Sequence, residues 1–361
     1  MAGIYIHIPF CKSRCIYCGF YSTTGLELRR HYIDALCREW QLRQQELKEP
    51  LDTIYLGGGT PSQLTSEQLQ QLFAALPLAT TEVTIECNPD DVSASYAAAL
   101  SQLPINRVSM GAQTFDDQRL RFLHRRHTSA QVLQAVQHLR DAGIRNISID
   151  LMYGFPDETQ EDWQRDIDAA IALNVEHISA YCLMVEEDTP LYHMGTNPCD
   201  EESERQMYEL LIDKLTAVGY EHYEISNFAR PGYRSRHNSS YWHDVPYIGL
   251  GAAAHSYDGQ GRQWNVADIQ QYIKAIERGC IPCEREELDD DTHYNDRVTV
   301  ALRTSDGLDL TTLSDRHRQY CLKEAQQFLT DGLLTMNGQR LVLTRKGLFV
   351  SDMVMSGLML V

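Results

Sequence analysis

The chain has 361 residues, with 32 lysines and arginines against 50 aspartates and glutamates, so its formal net charge is −18. Because proteins bind nucleic acid largely through lysine and arginine contacts to phosphate, this charge argues against a broad DNA or RNA footprint. Hydrophobic residues make up 43% of the chain and charged residues 23%, which is typical of a globular protein rather than a disordered one.

The N-terminal sequence has neither the basic nor the apolar region of an export signal, and no uncharged apolar run approaches the ~20 residues of a membrane span. We therefore expect a cytoplasmic protein without a transmembrane segment, and leave open a transient association with a membrane. In a reducing compartment, a cluster among the ten cysteines indicates a metal or redox site rather than a disulfide framework.

Six short apolar runs alternate with helical patterns over the first half of the chain, which predicts six β/α units. The predicted strands cover residues 3–9, 53–56, 82–86, 107–110, 146–151 and 177–181. Thr65 and Gln68 form a capping box at the start of one predicted helix, and Gly143 stands where another should end. The pattern predicts an α/β fold, a partial (β/α)6 barrel with its site at the carboxyl ends of the strands.

The expected domains are residues 1–185 for the partial barrel, 186–283 for an extension of the barrel, and 284–361 for a small C-terminal domain. The extension should contain a helix around Glu201 to Val218. The acidic stretch from Glu284 to Asp291 is interpreted as a connector. Beyond it we expect mainly helices with a β-hairpin near Leu341, a winged-helix-like arrangement.

Cys11, Cys15 and Cys18 form a C-x3-C-x2-C motif directly after the first predicted strand. Three thiolates on one short loop can bind three irons of a [4Fe-4S] cluster, which leaves the fourth iron without a protein ligand. A zinc knuckle is the alternative, although structural zinc takes four ligands, usually in C-x2-C pairs. The motif therefore favours an iron–sulfur cluster.

With Tyr17 just before its last cysteine, the motif resembles that of the radical S-adenosylmethionine superfamily. The resemblance implies that S-adenosylmethionine binds the open iron, and that an electron from the cluster cleaves it to a deoxyadenosyl radical. The turn Gly57-Gly58-Gly59-Thr60-Pro61 is similar to the glycine turn of that family, whose backbone contacts the cofactor. A plain strand-to-helix turn would explain the glycines too.

Polar residues also lie at the ends of later predicted strands, where barrel strands present side chains to a site. Taken singly, each could equally be a helix cap or a solvated strand end. The resemblance further implies that Arg125 pairs with the cofactor carboxylate, which a guanidinium can bind through two hydrogen bonds. The implied contacts to S-adenosylmethionine are Tyr5, Tyr17, Gly58, Gly59, Thr60, Glu86, Gln113, Arg125, Asp150, Met184 and His255.

Longer matching segments narrow the resemblance to the coproporphyrinogen-oxidase-like group. These segments are Tyr5 to Cys11, the glycine turn, Glu86 to Pro89, and Asp150 to Phe155. In the oxygen-independent coproporphyrinogen III oxidases a further cysteine follows the triplet by two positions, where this chain has Phe20. The segment His237-Asn238-Ser239-Ser240-Tyr241-Trp242 is similar to the H-N-x-x-Y-W motif of the HemW-type haem chaperones. Both features favour the chaperone family.

That family implies a protein that binds haem and passes it to client haem proteins, with an unidentified electron donor for its cluster. His237 is the first candidate for the axial ligand of haem iron, with His243 and His255 as further ones. Asn238, Tyr241 and Trp242 complete the expected haem site. No catalytic residue is predicted, and we expect S-adenosylmethionine cleavage without coproporphyrinogen oxidase activity.

Two other functions remain open at this point. One is the oxidative decarboxylation of coproporphyrinogen III, which the absence of a cysteine at position 20 disfavours. The other is tRNA modification, which the net charge of −18 disfavours.

Overall fold

The computed structural model of the protein describes residues 2–360. Six parallel strands, each next to the following one, form the centre of a large sheet. Their bounds are β1 Ala2–Ile8, β2 Leu51–Gly58, β3 Glu82–Cys87, β4 Arg107–Gln113, β5 Asn146–Tyr153 and β6 His177–Cys182. All six predicted strands are confirmed, with boundaries that differ by a few residues.

Helices connect these strands and cover one face of the sheet. They are α1 Arg29–Arg43, α2 Ser66–Ala75, α3 Ala94–Leu100, α4 Asp117–Phe122, α5 Ser129–Asp141 and α6 Gln160–Leu173. The predicted capping box at α2 is present, because the side chains of Thr65 and Gln68 each accept a hydrogen bond from the other residue's backbone N–H. Gly143 has a φ of +90° just after α5, as expected for a residue that ends a helix in the left-handed region.

Alternation along each strand separates an apolar outer face from a polar interior. On β5, Ile147, Ile149 and Leu151 are completely buried in the cluster that joins the sheet to the helices. Ser148 and Asp150, which lie between them, therefore point into the barrel. The interior of the barrel thus holds the polar side chains of the strands, whereas the core lies between strands and helices.

The sheet continues beyond both edges of the six central strands. The elements that follow β6 are α7 Pro190–His193, α8 Glu201–Ala217, β7 Glu221–Glu224, β8 Asn227–Ala229, α9 Arg236–Trp242, β9 Tyr247–Leu250, β10 His255–Tyr257, β11 Gly261–Asn265, α10 Ile269–Glu277 and β12 Cys283–Glu287. The strand order is β12-β11-β10-β9-β1-β2-β3-β4-β5-β6-β8-β7. Because this order runs from one free edge to another, the predicted partial barrel is confirmed.

One of these added strands extends the parallel region of the sheet. β9 runs parallel to β1, with Tyr5 opposite Gly249, so seven strands are parallel rather than the six expected. The other added strands pair antiparallel. The carboxyl end of β9 therefore lies beside the carboxyl end of β1, where the cysteine loop begins.

The acidic stretch from Glu284 to Asp291 is not the expected connector. Residues Cys283–Glu287 pair with β11 over five positions, so the expected boundary between residues 283 and 284 falls inside a strand. Every side chain of β12 is exposed, so the strand has no apolar pattern by which the sequence could reveal it. Charged residues are common on such edges because they oppose pairing with a further chain.

The C-terminal part forms a separate small unit, with the predicted helices and β-hairpin. Its elements are α11 Asp290–Ala301, β13 Leu308–Asp309, α12 Asp315–Thr330, β14 Leu334–Asn337, β15 Arg340–Leu343, α13 Arg345–Leu348 and α14 Ser351–Leu358. The three strands make their own sheet over a second apolar cluster. Within residues 2–360, no helix combines the length and the apolar character that crossing a membrane requires.

Candidate functional site

The three cysteines lie on the loop after β1, at the carboxyl end of the sheet. The loop turns back on itself, since the backbone N–H of Cys11 donates to the carbonyl oxygen of Thr23 at 2.9 Å. The Cys11 thiol lies 3.3 Å from the hydroxyl of Thr60. Nη1 of Arg125 lies 3.5 Å from Sγ of Cys15. The cysteine loop, the glycine turn and Arg125 therefore form one site.

The three thiols of this loop suit a [4Fe-4S] cluster, in which one thiolate binds each of three irons. Burial raises the pKa of Cys11 and of Cys18, and the neighbouring thiols raise both further, so the thiols lie within electrostatic reach of one another. Nevertheless, no three His, Cys, Asp or Glu side chains of residues 2–360 converge on one metal position. Zinc requires all its ligands about 2 Å from one ion, whereas each thiolate of a cubane binds a different iron.

The glycine turn packs directly against β1 and the start of the cysteine loop. Gly58 has a φ of +107°, and a Cβ atom there would lie 2.5 Å from the ring of His7. A Cβ atom on Gly59 would lie 2.7 Å from the carbonyl carbon of Pro9. Glycine is therefore required here by the packing of the protein itself. The result is that Thr60 is held next to Cys11.

Two buried carboxyl groups, those of Glu86 and Asp150, lie in the interior of the barrel near this turn. Glu86 accepts hydrogen bonds from the Tyr55 hydroxyl at 2.7 Å and from the Gly58 backbone N–H at 3.2 Å. Burial raises the pKa of Glu86 to about 7, and the charge of Asp150 adds to the shift. Burial also raises the pKa of Asp150, to about 6. Both groups can exchange hydrogen bonds with the amino or hydroxyl groups of a ligand.

Glu86→Gln should stabilise the ligand-free protein at pH 8 and change its stability little at pH 4. The pKa of Glu86 is raised from 4.5 to about 7, so between these pH values the carboxyl stays protonated in the folded state but is ionised in the unfolded chain. The stability of the folded protein therefore falls as the pH rises from 4.5 to about 7. We expect a gain on the order of 2 kcal/mol at pH 8 from guanidinium unfolding. The exposed Glu187→Gln is the control and should show no such difference. An equal effect of Glu86→Gln at both pH values would contradict the prediction.

Arg107 is an interior residue that the sequence analysis missed. Its side chain is 1% exposed, and its Nε and Nη1 atoms have no hydrogen-bond partner in the part of the chain that the structure describes. Its positive charge opposes the rise in the pKa of both Glu86 and Asp150. The signal that could have identified it was an arginine at the start of a strand whose next residues, Val108 and Met110, are buried apolar positions.

Arg125 joins the cysteine loop to the ends of two strands. Its Nη2 donates to Oδ1 of Asn88 at 2.8 Å and to the carbonyl oxygen of Gly111 at 2.6 Å. Its buried Nε has no partner among the described residues. Gln113 ends β4 with a φ of +68°, where the pairing of β4 with β5 shifts register. The bulge turns the end of β4 toward the site.

The remaining predicted cofactor contacts lie around this centre. Tyr5 points into the barrel, with its hydroxyl 3.1 Å from Nδ1 of His7. Tyr17 packs against a small apolar cluster beside the cysteine loop. Met184 follows β6 and is 69% exposed. His255 begins β10, after the turn at the carboxyl end of β9.

The H-N-x-x-Y-W segment forms α9 and lies at the opposite end of the barrel. The backbone N–H of His237 donates to Oε1 of Glu82 at 3.0 Å, and its Nδ1 lies 2.7 Å from the hydroxyl of Thr53. Nε2 of His237 lies 2.8 Å from the hydroxyl of Tyr241. Because Thr53 and Glu82 stand at the amino ends of β2 and β3, α9 closes that end of the barrel.

His237 thus occupies a completely buried position, with both ring nitrogens in hydrogen bonds. Burial lowers its pKa to about 3. Trp242, from the same helix, packs edge-on to Tyr223 at 6.1 Å between ring centroids. His243 lies 3.3 Å from a carboxylate oxygen of Asp306. The structure therefore separates α9, including Asn238, from the cysteine site, and of the three candidate haem ligands only His255 lies on the cysteine side.

The chain matches the radical SAM superfamily over residues 5–170 and the HemN C-terminal domain over residues 288–350. A solved structure with a similar fold is that of coproporphyrinogen III oxidase (HemN) from Escherichia coli, a radical SAM enzyme. The two superpose with a TM-score of 0.85, over 99% of this chain and 89% of the HemN chain. At 22% identity this likeness concerns the fold.

Two relatives named heme chaperone HemW match at higher identity. The relative from Bacillus subtilis is 35% identical over an alignment of 331 positions, gaps included, that covers 88% of this chain and 87% of the relative. The relative from Mycobacterium tuberculosis is 34% identical over an alignment of 374 positions, gaps included, that covers 99% of this chain and 94% of the relative. The predicted family is therefore confirmed, and the chain belongs to the HemW family within the radical SAM superfamily.

Proposed function

We propose that this protein is a haem chaperone, which binds haem and passes it to client haem proteins. The observation that carries the proposal is the match to HemW relatives over almost the whole chain, from the cysteine loop through the C-terminal unit. The relatives' name states the haem function, and the arrangement of the three thiols supports the cluster that the superfamily implies. The cytoplasm is the proposed location.

We further propose which residues hold the cofactors. Cys11, Cys15 and Cys18 bind the [4Fe-4S] cluster, and when bound it supplies the electron that cleaves S-adenosylmethionine. Arg125 is the proposed partner of the cofactor carboxylate, since its Nε is buried without a partner among the described residues. Glu86 and Asp150 lie where they could accept hydrogen bonds from the cofactor's amino or hydroxyl groups. The other proposed contacts are Tyr5, Tyr17, Gly58, Gly59, Thr60, Gln113 and Met184.

Coproporphyrinogen oxidation is the second candidate function, favoured by the fold shared with HemN. One feature of this chain disfavours it. Phe20 stands where those oxidases have a further cysteine, and its side chain is 69% exposed beside the cysteine loop. An exposed phenylalanine cannot act as the thiol that this position supplies in the oxidases. It could instead contact the apolar surface of haem or of a client protein.

The test is a haem titration of the anaerobically reconstituted protein, followed by transfer to an apo-globin as a model acceptor. We expect a saturable Soret shift at about one haem per chain, and acceptor spectra that appear faster than from a haem–albumin control. In parallel, coproporphyrinogen III with S-adenosylmethionine and dithionite should give no protoporphyrinogen. Absence of saturable haem binding would contradict the chaperone function, and formation of protoporphyrinogen would establish the oxidase instead.

A further inference from the structure

A groove of about 600 Å³ opens on the cysteine side of the barrel, next to the carboxyl end of β9. It lies between the β10–β11 hairpin, α10 and the start of β12, and we call it the His255 groove. Its lining includes Ala253, His255, Trp264, Val266, Pro282 and Cys283. The volume is within the range of about 300–1,000 Å³ that is typical of small-molecule sites.

The imidazole of His255 is free to bind a metal. It is exposed and lies against Trp264, with ring centroids 6.1 Å apart and planes inclined by 29°. Within residues 2–360 neither of its nitrogens has a hydrogen-bond partner, whereas both nitrogens of His237 are engaged. Partial burial and the nearby Arg262 lower the pKa of His255, so the imidazole is neutral at physiological pH. A neutral imidazole with an open lone pair is what ligation of iron requires.

The groove has apolar walls, and two cations lie close to its lining in the chain. Ala253, Val266 and Pro282 supply apolar surface beside Trp264. Gln271 and Ala275 of α10 line the groove, as does Glu284 of β12. Lys274 on α10 and Arg278 just after it lie outside this lining, each three positions along the chain from one of the two α10 residues. Neither cation has a carboxylate within 4 Å among the described residues. The two cations are therefore available to the anionic edge of a ligand that extends beyond the groove.

We propose that haem binds in the His255 groove, with His255 as the axial ligand of the iron. Trp264 meets the edge of the porphyrin rather than its face, because its ring is inclined by only 29° to the imidazole and an axial imidazole stands across the porphyrin plane. The propionates extend toward Lys274 and Arg278. This inference rests on the proposed function, since it assigns the site of the same haem. It differs from the sequence-based expectation for His237, because the fold places that residue inside the far end of the barrel with no free nitrogen.

The experiment is a hemin titration of the reconstituted protein, followed by absorption and electron paramagnetic resonance spectra. His255→Ala should weaken haem binding by at least about tenfold, since even the outer partners of metal ligands contribute that much. Added imidazole should restore the wild-type spectrum of His255→Ala, because it can replace the missing ligand. Trp264→Ala and the pair Lys274→Glu with Arg278→Glu should weaken binding without changing the type of axial ligand.

His193→Ala is the matched control, because His193 is also exposed beside an aromatic ring, that of Tyr192 at 5.6 Å. It should bind haem as the wild type does. Cys283→Ser should likewise keep the wild-type spectrum, and a change would assign the iron to the thiol instead. Tyr241→Phe removes a hydrogen bond of His237 while keeping its packing, and should leave the haem spectrum unchanged.

The titration distinguishes a wrong haem site from a wrong function. If the wild type binds haem and His255→Ala binds it equally well with the same spectrum, the proposed site is wrong and the chaperone function stands. A haem spectrum that changes in Tyr241→Phe, with an unaltered melting curve, would also overturn the site in favour of α9. If the wild type itself shows no saturable binding, the proposed function fails.

Discussion

Cys15→Ser should leave the reconstituted protein without its [4Fe-4S] cluster, so that iron and sulfide fall from about four of each per chain to below about one. The Cys15 thiol lies at the centre of the site, 3.5 Å from Arg125, and contributes to the raised pKa of both Cys11 and Cys18. Two thiols cannot retain a cubane, and a serine hydroxyl is a poor ligand for iron. Iron and sulfide analysis together with the visible spectrum measures the loss.

The fold should survive this change, because Cys15 lies on a loop and is only partly buried. The far-ultraviolet circular dichroism of Cys15→Ser should therefore match that of the wild type. Cys37→Ser is the matched control, a partly buried cysteine on α1 that should leave the cluster content unchanged. A wild-type protein that binds one zinc per chain without sulfide would contradict the cluster assignment.

Gly58→Ala should destabilise the protein by about 3 kcal/mol and lower its cluster content. The new methyl group would lie 2.5 Å from the ring of His7, and the φ of +107° is unfavourable for any residue with a Cβ atom. His7 cannot easily move, because its Nε2 lies 3.0 Å from the carbonyl oxygen of Tyr21 and its Nδ1 lies 3.1 Å from the hydroxyl of Tyr5. Guanidinium unfolding and iron analysis measure the two effects.

Gly143→Ala separates the steric clash from the backbone strain. Gly143 has a similar φ of +90°, but a Cβ atom there would meet no atom within 4 Å. We expect a loss of about 1 kcal/mol with full cluster content, since only the left-handed backbone is strained. Equal losses for the two variants would show that His7 yields to the methyl group, and that the glycine turn does not depend on this contact.

The residues that could be assigned from the sequence are those whose role depends on near neighbours in the chain. The capping box of Thr65 and Gln68 spans four residues, and the three cysteines span eight. The central strands were found because their apolar residues are buried between sheet and helices. β12 was missed because five exposed residues become a strand only through pairing with β11.

The chain sequence by itself determined the β/α order, the cysteine motif and, through its similarity to relatives, the family. Only the tertiary structure decided which polar side chains share a space. The clash at Gly58 depends on His7 from another strand, and the burial of Arg107 depends on the strands that surround it. The same is true of the histidines: α9 folds under the barrel and engages both nitrogens of His237, while the β9–β10 turn leaves His255 open beside the cysteine site. Such contacts join residues up to about 200 positions apart in the chain, and no local pattern records them.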